Sequence, residues 1–340
     1  MRSGLDGARE EARRVVKVAV MGTGAMGGYL GARLGTAAGV CVTFIARGAH
    51  LAAIRTTGLR VWSPLGDVHV TPASATDDPG AVGPVDVVLL GVKLYDIEVA
   101  VKALRPLLGA DTAVVCLQNG IDAATIVARL HGEHHAVGSV VMINAELVGP
   151  GVIKHNALNQ LTVGELDGRA SGRLEHLVAL ANAAGVETVL SRDIRLELWR
   201  KLLLMAPMGA LSAMTRVPLR RIREEADTWR LAEQGMREVV AVANAEGVRL
   251  DAADVERTLA FVKGMSPAWK GSLTFDLEQG RRLEVDWLSG AVCRRGEAAG
   301  IDTPFHRVAL GVLKPHAGGA AHVWPEGEGL TGARGWEPQP

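Results

Sequence analysis

The feature that most constrains the fold is a glycine-rich segment that directly follows an apolar run. The stretch KVAVMGTGAMGG places Gly22, Gly24 and Gly27 in the spacing G-x-G-x-x-G, between a β-branched run and a helical pattern. In that context the first glycine permits a tight turn, the second lets the backbone approach a pyrophosphate, and the third allows close packing of helix on strand. The segment predicts a dinucleotide-binding βαβ unit, with Ala25 and Met26 at a helix N-terminus whose amides bind phosphate.

Short apolar runs alternate with helical patterns through the first half of the chain. The runs are nearly continuous, as is typical of buried parallel strands, and lie at 15–22, 40–47, 85–93, 112–120 and 135–143, with a hairpin at 59–72. This alternation predicts an α/β Rossmann-type, doubly wound domain over residues 15–168.

The pattern changes beyond about residue 170. Long segments with helical periodicity then dominate, at 171–184, 192–214, 221–247, 251–261 and 282–299. They predict an all-α C-terminal domain, with catalytic and substrate-binding roles, over residues 169–316. Residues 1–14 are expected to be a flexible extension, and the Gly- and Pro-rich residues 317–340 a disordered tail.

Composition excludes several classes of partner. Lys plus Arg and Asp plus Glu both number 37 and aromatics make up only 4% of the 340 residues, so we expect neither nucleic-acid nor membrane binding. Cys41, Cys116 and Cys293 are interpreted as reduced core or near-core residues, which favours a cytoplasmic protein. We expect a small-molecule substrate and a monomer or homodimer.

Three polar residues follow predicted strands. Arg47 ends the second strand, where NAD-preferring folds usually carry an acid, and its guanidinium suits the 2′-phosphate of NADP. The alternative is a solvated arginine. Lys93 and Asn119 end two later strands, at the edge where such sheets bind ligands, although a solvated lysine and an ordinary Asn-Gly turn explain them equally well.

A lysine stands at the start of an apolar helix, WRKLLLMAPMGALSAMT. Lys201, Met205, Gly209 and Ser212 fall along one helical face. Lys201 either extends outward to solvent or is partly desolvated, which lowers a lysine's pKa and makes it a better proton donor to an oxygen that gains charge as hydride arrives.

A second polar cluster occupies residues 270–291. Ser272 and Glu284 are its candidates for a ligand-binding hydroxyl and carboxylate. The alternative is a helix–loop–helix with ordinary surface charges.

Together these segments resemble the ketopantoate reductases (2-dehydropantoate 2-reductases) over most of residues 16–315. The resemblance rests on GTGAMGG, ARG, GVKLYD, LQNG, ELWRKLL, LSAMT, GSL, EVDWLSGAV and GIDTP, in that order. It implies reduction of a 2-oxo acid with NADPH, as in pantothenate biosynthesis. It also implies that Lys201 is the catalytic acid and that Glu284 helps to organise the site.

The resemblance assigns binding roles as well. It places Asn119 at the nicotinamide and the substrate carbonyl, gives Arg47 and Lys93 roles around NADP, and makes Ser272 a substrate-binding residue.

The chain departs from the family at three substrate-binding positions. The family's asparagines are replaced by Met205, Gly209 and Trp269, and a pocket that loses hydrogen-bonding groups discriminates less against apolar ligands. The substrate is therefore expected to be 2-dehydropantoate or a more apolar 2-oxo acid. Two alternatives stay open: an imine- or opine-type or other carbonyl oxidoreductase, and a non-catalytic NADP-sensing protein.

The histidine-rich segment HGEHH (131–135) fits neither H-E-x-x-H nor H-x-x-E-H. We predict no metal site.

Overall fold

The computed structural model describes residues 15–320. The extension predicted at 1–14, and residues 321–340 of the tail predicted at 317–340, lie outside these residues. Within 15–320 the chain forms two compact units, one of residues 15–203 and 239–254 and the other of residues 204–238 and 255–320. No helix among these residues is long and apolar enough to cross a membrane.

The first unit is built on a ten-stranded sheet. Its strands are β1 (Val16–Met21), β2 (Val40–Ile45), β3 (Leu59–Trp62), β4 (Val68–Val70), β5 (Ser74–Thr76), β6 (Val85–Leu90), β7 (Leu108–Cys116), β8 (Ala136–Gly149), β9 (Val152–Glu165) and β10 (Glu187–Leu190). The strand order is β4-β3-β9-β8-β7-β6-β1-β2-β5, with β10 beside β9. The six strands β5-β2-β1-β6-β7-β8 are all parallel, and their order is that of a doubly wound dinucleotide-binding sheet.

Twelve α-helices lie within the described residues. They are α1 (Ala25–Leu34), α2 (Gly48–Thr57), α3 (Ile97–Lys102), α4 (Ala123–His131), α5 (Gly172–Ala183), α6 (Ile194–Thr215), α7 (Leu219–Glu224), α8 (Ala226–Ala245), α9 (Ala252–Gly264), α10 (Ser272–Glu278), α11 (Ser289–Ala298) and α12 (Pro304–Leu313). The first unit contains α1 to α5, and the second unit is helical. The predicted fold class, a Rossmann-type domain followed by an all-α domain, is confirmed.

The core of the first unit explains why the apolar runs become strands. Val20, Phe44, Leu89 and Val115 come from four neighbouring parallel strands, and each is at most 1% exposed. They belong to one apolar cluster, to which α1 and α5 also contribute side chains. A strand that is buried on both faces has apolar residues at nearly every position, which is why these strands appear in the sequence as continuous apolar runs.

The structure differs from the sequence-based expectations in several places. Strands β5 and β10 were not predicted, and the helix predicted at 221–247 is divided into α7 and α8. The antiparallel strand β9 was not predicted, because polar residues interrupt its pattern and Leu158 bulges from it at φ 59°. The helix predicted at 282–299 begins only at Ser289. Cys41 is exposed, whereas the other two cysteines are buried. Residues 317–320, assigned to a disordered tail, are hydrogen-bonded to residues 280–283, a long-range pairing that composition does not reveal.

A buried polar network holds the N-terminus of α12 within the second unit. The carboxylate of Glu238 accepts the backbone N–H groups of Phe305 at 2.9 Å and His306 at 3.1 Å. The His306 ring is fully buried, with Nδ1 3.1 Å from Ser289 Oγ and Nε2 3.1 Å from the carbonyl oxygen of Gly235. Burial lowers the pKa of His306 from 6.5 to about 4.

The buried His306 predicts a loss of stability in mild acid. Between about pH 6.5 and 4 the unfolded chain binds a proton at this histidine that the folded chain does not. The free energy of unfolding should therefore fall as pH falls, by up to roughly 3 kcal/mol across that window. Denaturant melts at several pH values measure this slope. A His306→Asn variant should show a shallower slope, and an unchanged slope would contradict the assignment.

Candidate functional site

Four sequence-predicted residues follow strands that end at the same level. Met21 pairs with both Ile45 and Leu90, and Leu90 pairs with Cys116, so the carboxyl ends of β1, β2, β6 and β7 align. Beyond these ends come Gly22, Arg47, Lys93 and Asn119. The parallel register thus brings the four residues to one edge of the sheet, where open α/β folds bind ligands.

The glycine-rich loop has the geometry of a dinucleotide cradle. Gly22 has φ +91°, and a Cβ there would lie 2.7 Å from the backbone nitrogen of Val92. A Cβ at Gly27 would lie 2.6 Å from the carbonyl oxygen of Gly22, so only glycine allows α1 to pack this closely. A Cβ at Gly24 would meet no protein atom within 4 Å, which leaves room for a ligand.

The first turn of α1 offers backbone donors beside that space. The first hydrogen bond of this helix runs from the N–H of Gly28 to the carbonyl oxygen of Gly24, at 2.8 Å. The amides of Ala25, Met26 and Gly27 therefore have no acceptor within the helix. Such amides at a helix N-terminus favour an anion.

The polar residues that follow these strands differ in solvent exposure, and one of their neighbours forms hydrogen bonds between the segments. Arg47 is exposed and immediately precedes α2, and Lys93 is exposed and precedes a 3₁₀ turn at Leu94–Asp96. Asn119 is half-buried. Gln118, which sequence reasoning missed, is buried, and its Nε2 donates to the carbonyl oxygens of Leu90 at 2.8 Å and Val92 at 3.0 Å. The Gln118 amide therefore ties together the segments that carry Lys93 and Asn119.

Lys201 does not extend to solvent. The residue is only 9% exposed, and its Nζ donates to the carbonyl oxygen of Val141 in β8 at 2.8 Å. Val115 of β7 pairs with Val137 of β8, and Val141 lies four residues further along β8. The ammonium of Lys201 is thus bonded to β8 on the carboxyl side of the β7–β8 pairing. Sequence could identify the lysine but not its acceptor, which is a backbone group sixty residues away.

In the second unit, α6 and the segment before α10 meet through glycines. A Cβ at Gly271 would lie 3.1 Å from Cα of Gly209 and 3.5 Å from Cη2 of Trp269. Met205 and Trp269 are half-buried, and a Cβ at Gly209 would meet no atom within 4 Å. Two of the three positions that depart from the family, 209 and 269, are therefore neighbours beside open space.

Other polar residues of the second unit have distinct surroundings. Ser272, the first residue of α10, is exposed. Ser212, on the same predicted helical face as Lys201, is fully buried, and its hydroxyl lies 2.8 Å from that of Thr274. Glu284 is 6% exposed and precedes a 3₁₀ turn, Val285–Trp287, in a loop rather than in the predicted helix.

The histidines of residues 131–135 bond to backbone. His131 Nε2 lies 2.7 Å from the carbonyl oxygen of Val101, and His135 Nδ1 lies 2.8 Å from that of Thr112. Burial lowers the pKa of His135. In the part of the chain that the structure describes, no three His, Cys, Asp or Glu residues form a group able to hold a metal ion.

The sheet order, the glycine-rich loop and the buried lysine at the carboxyl edge define a Rossmann-type oxidoreductase. The chain matches the family model of ketopantoate reductase PanE/ApbA over residues 18–168, and the model of its C-terminal part over residues 193–317. The chain belongs to the ketopantoate reductase family.

Individual relatives agree with this assignment. The 2-dehydropantoate 2-reductase of Mesorhizobium japonicum is 32% identical over 321 residues, covering 88% of this chain and 97% of the relative. The structure of a PanE/ApbA family ketopantoate reductase from Ralstonia eutropha is similar, with a TM-score of 0.82, 35% identity, and coverage of 89% and 98%. A ternary structure of D-mandelate dehydrogenase with NADH and anilino(oxo)acetate shares the fold, with a TM-score of 0.79, 22% identity, and coverage of 89% and 98%.

The family and the fold imply a nicotinamide cofactor, and the residues present fit one. The open space at Gly24, the amides that begin α1 and the close packing at Gly27 together form a cradle for a pyrophosphate.

Proposed function

We propose that the protein reduces a 2-oxo acid to a 2-hydroxy acid with NADPH. The observation that carries this proposal is the buried Lys201 ammonium, bonded to Val141 of β8 on the carboxyl side of the β7–β8 pairing. A cation held there is suited to an oxygen that becomes negative during reduction.

Each residue has a distinct role in the proposed reaction. NADPH, when bound to the glycine-rich loop, supplies the hydride. Lys201 donates a proton to the carbonyl oxygen of the substrate, and its hydrogen bond to Val141 holds Nζ in position for that donation. The Asn119 amide orients the reacting groups at the same edge. From the family resemblance, Ser272 binds the substrate and Glu284 helps to organise the catalytic groups.

The proposed substrate is 2-dehydropantoate or a 2-oxo acid with a more apolar side chain. Met205 and Trp269 present apolar surface where asparagines are expected in the family, and Gly209 leaves its position open. Apolar contacts discriminate weakly between ligands. Without the asparagine side chains, a hydroxyl group on the substrate no longer gains hydrogen bonds at these positions.

The test is the initial rate of NADPH oxidation with saturating 2-dehydropantoate. A kcat of about 1 s⁻¹ or more would support the family reaction and a place in pantothenate synthesis. Turnover only with apolar 2-oxo acids would support the altered pocket. Turnover only with imines, or NADPH binding without turnover on any carbonyl or imine, would overturn the proposal.

Gly24→Ala is expected to weaken NADPH binding without lowering stability. The new methyl group meets no protein atom within 4 Å but occupies space that the pyrophosphate needs. The NADPH Kd should rise about tenfold or more, which corresponds to ~1.4 kcal/mol, with an unchanged melting temperature. Titration of NADPH fluorescence measures the Kd. Gly172→Ala is the matched control, because it also adds a methyl group in open space at the start of a helix. Equal NADPH Kd values for both variants would contradict the role of Gly24 in binding the pyrophosphate.

Arg47→Ala is expected to remove the preference for NADPH over NADH. Loss of a charge-assisted hydrogen bond to the 2′-phosphate costs about 1.5–3 kcal/mol, so the NADPH Kd should rise roughly ten- to a hundredfold. The NADH Kd should stay the same, because NADH lacks that phosphate. Arg55→Ala, within helix α2 that follows Arg47 but paired with Asp77, serves as the control. An unchanged ratio of the two Kd values would refute the role of Arg47.

A further inference from the structure

The chain segment after α12, residues 314–320, contacts the loop that carries Glu284 at three successive points. Lys314 Nζ lies 2.6 Å from both carboxylate oxygens of Asp286. The carbonyl oxygen of Ala317 accepts the N–H of Leu283 at 3.0 Å, and the N–H of Ala320 donates to the carbonyl oxygen of Gly280 at 2.8 Å. The segment therefore runs alongside the loop through almost its whole length.

Two glycines allow the two backbones to approach this closely. Gly280 has φ +60°, and a Cβ there would lie 2.7 Å from the Cβ of Ala320. Gly319 has φ +86°, and a Cβ there would lie 2.8 Å from the carbonyl oxygen of Gly280. A side chain at Gly319 would have to displace the loop or the segment, because the atoms that it meets are backbone.

Glu284 lies between the points of attachment. Its preceding neighbour, Leu283, is bonded to Ala317, and Asp286 two residues later is bonded to Lys314. Between the end of α10 and the start of α11 the loop contains only the short 3₁₀ turn at Val285–Trp287. The backbone on both sides of Glu284 is thus attached to the same segment.

We propose that residues 314–320 are a positioning segment that fixes the Glu284 carboxylate for catalysis. The inference rests on the proposed function, in which Glu284 takes part in the reaction. Residues 314–320 themselves touch neither substrate nor cofactor in this proposal. They act through the loop, and a displacement of about 1 Å in a catalytic group can cost about a hundredfold in rate.

The test is a double-mutant cycle of Gly319→Ala and Glu284→Gln in the full-length protein. Gly319→Ala alone should lower kcat about ten- to a hundredfold with the NADPH Kd unchanged, because the cofactor loop belongs to the other unit. In the Glu284→Gln background the same substitution should change kcat by less than about threefold, since a displaced loop then has no catalytic carboxylate to misplace.

Gly300→Ala is the matched control. Gly300 has φ +69°, but a Cβ there meets no atom within 4 Å, so the substitution adds backbone strain of the same kind without moving the loop. If Gly319→Ala does not fold, as judged by circular dichroism, Lys314→Met replaces it in the cycle, because it removes the ion pair with Asp286 and leaves the backbone unchanged.

The outcomes separate this inference from the function on which it rests. Equal losses in Gly319→Ala and Gly300→Ala, or a full loss repeated in the Glu284→Gln background, overturn the positioning role alone. Normal turnover of Glu284→Gln itself overturns the proposed catalytic role of Glu284 and the positioning role with it. A loss confined to Gly319→Ala, and absent in the Glu284→Gln background, supports the proposal.

Discussion

Replacement of Lys201 by methionine is expected to lower kcat by about 10²- to 10⁴-fold, the usual contribution of a general acid. Methionine retains most of the apolar stem in this buried position but removes the ammonium that donates to Val141. The NADPH Kd should change little, because the glycine-rich loop and Arg47 are untouched. Stopped-flow and steady-state rates of NADPH oxidation, with NADPH titrations alongside, separate the two effects.

Two further variants test this prediction, one at Lys201 itself and one elsewhere on α6. Lys201→Arg keeps a positive charge but cannot release a proton near neutral pH, so its kcat should remain low if Lys201 acts as an acid. Arg195→Met, an exposed position on the same helix α6, should retain normal turnover. Turnover of Lys201→Met within fivefold of the wild type would contradict a catalytic role for Lys201.

The second large effect is expected on stability, from Glu238→Ala. This substitution removes the acceptor for the N–H groups of Phe305 and His306, which are buried. An unsatisfied buried donor costs about 1–3 kcal/mol, so the free energy of unfolding should fall by roughly 3 kcal/mol or more. Urea unfolding followed by circular dichroism measures the change.

The Glu238 prediction has a graded control. Glu238→Gln retains one oxygen acceptor, so its free energy of unfolding should lie between those of the wild type and Glu238→Ala. Glu233→Ala, which removes only the partly exposed ion pair with Arg237, should cost less than about 1 kcal/mol. A Glu238→Ala variant as stable as Glu233→Ala would show that the α12 amides find another acceptor.

Local pattern was sufficient for the fold class and for the individual site candidates. The glycine spacing after β1 predicts a dinucleotide-binding loop because turn geometry and helix packing depend on residues adjacent in sequence. Continuous apolar runs predict the parallel strands for the same reason. Strand β9 was not predicted, because polar residues interrupt its apolar pattern and its conformation depends on pairing with β8.

Local patterns in the chain thus identify the residues available for chemistry, whereas the fold establishes which of them lie together. Only the sheet register aligns Gly22, Arg47 and Asn119 at one edge. Only long-range contacts give Lys201 its acceptor at Val141 and attach residues 314–320 to the loop of Glu284. Every residue has a backbone carbonyl oxygen, so residue type does not show which carbonyl accepts a given hydrogen bond. Only the folded structure identifies such an acceptor.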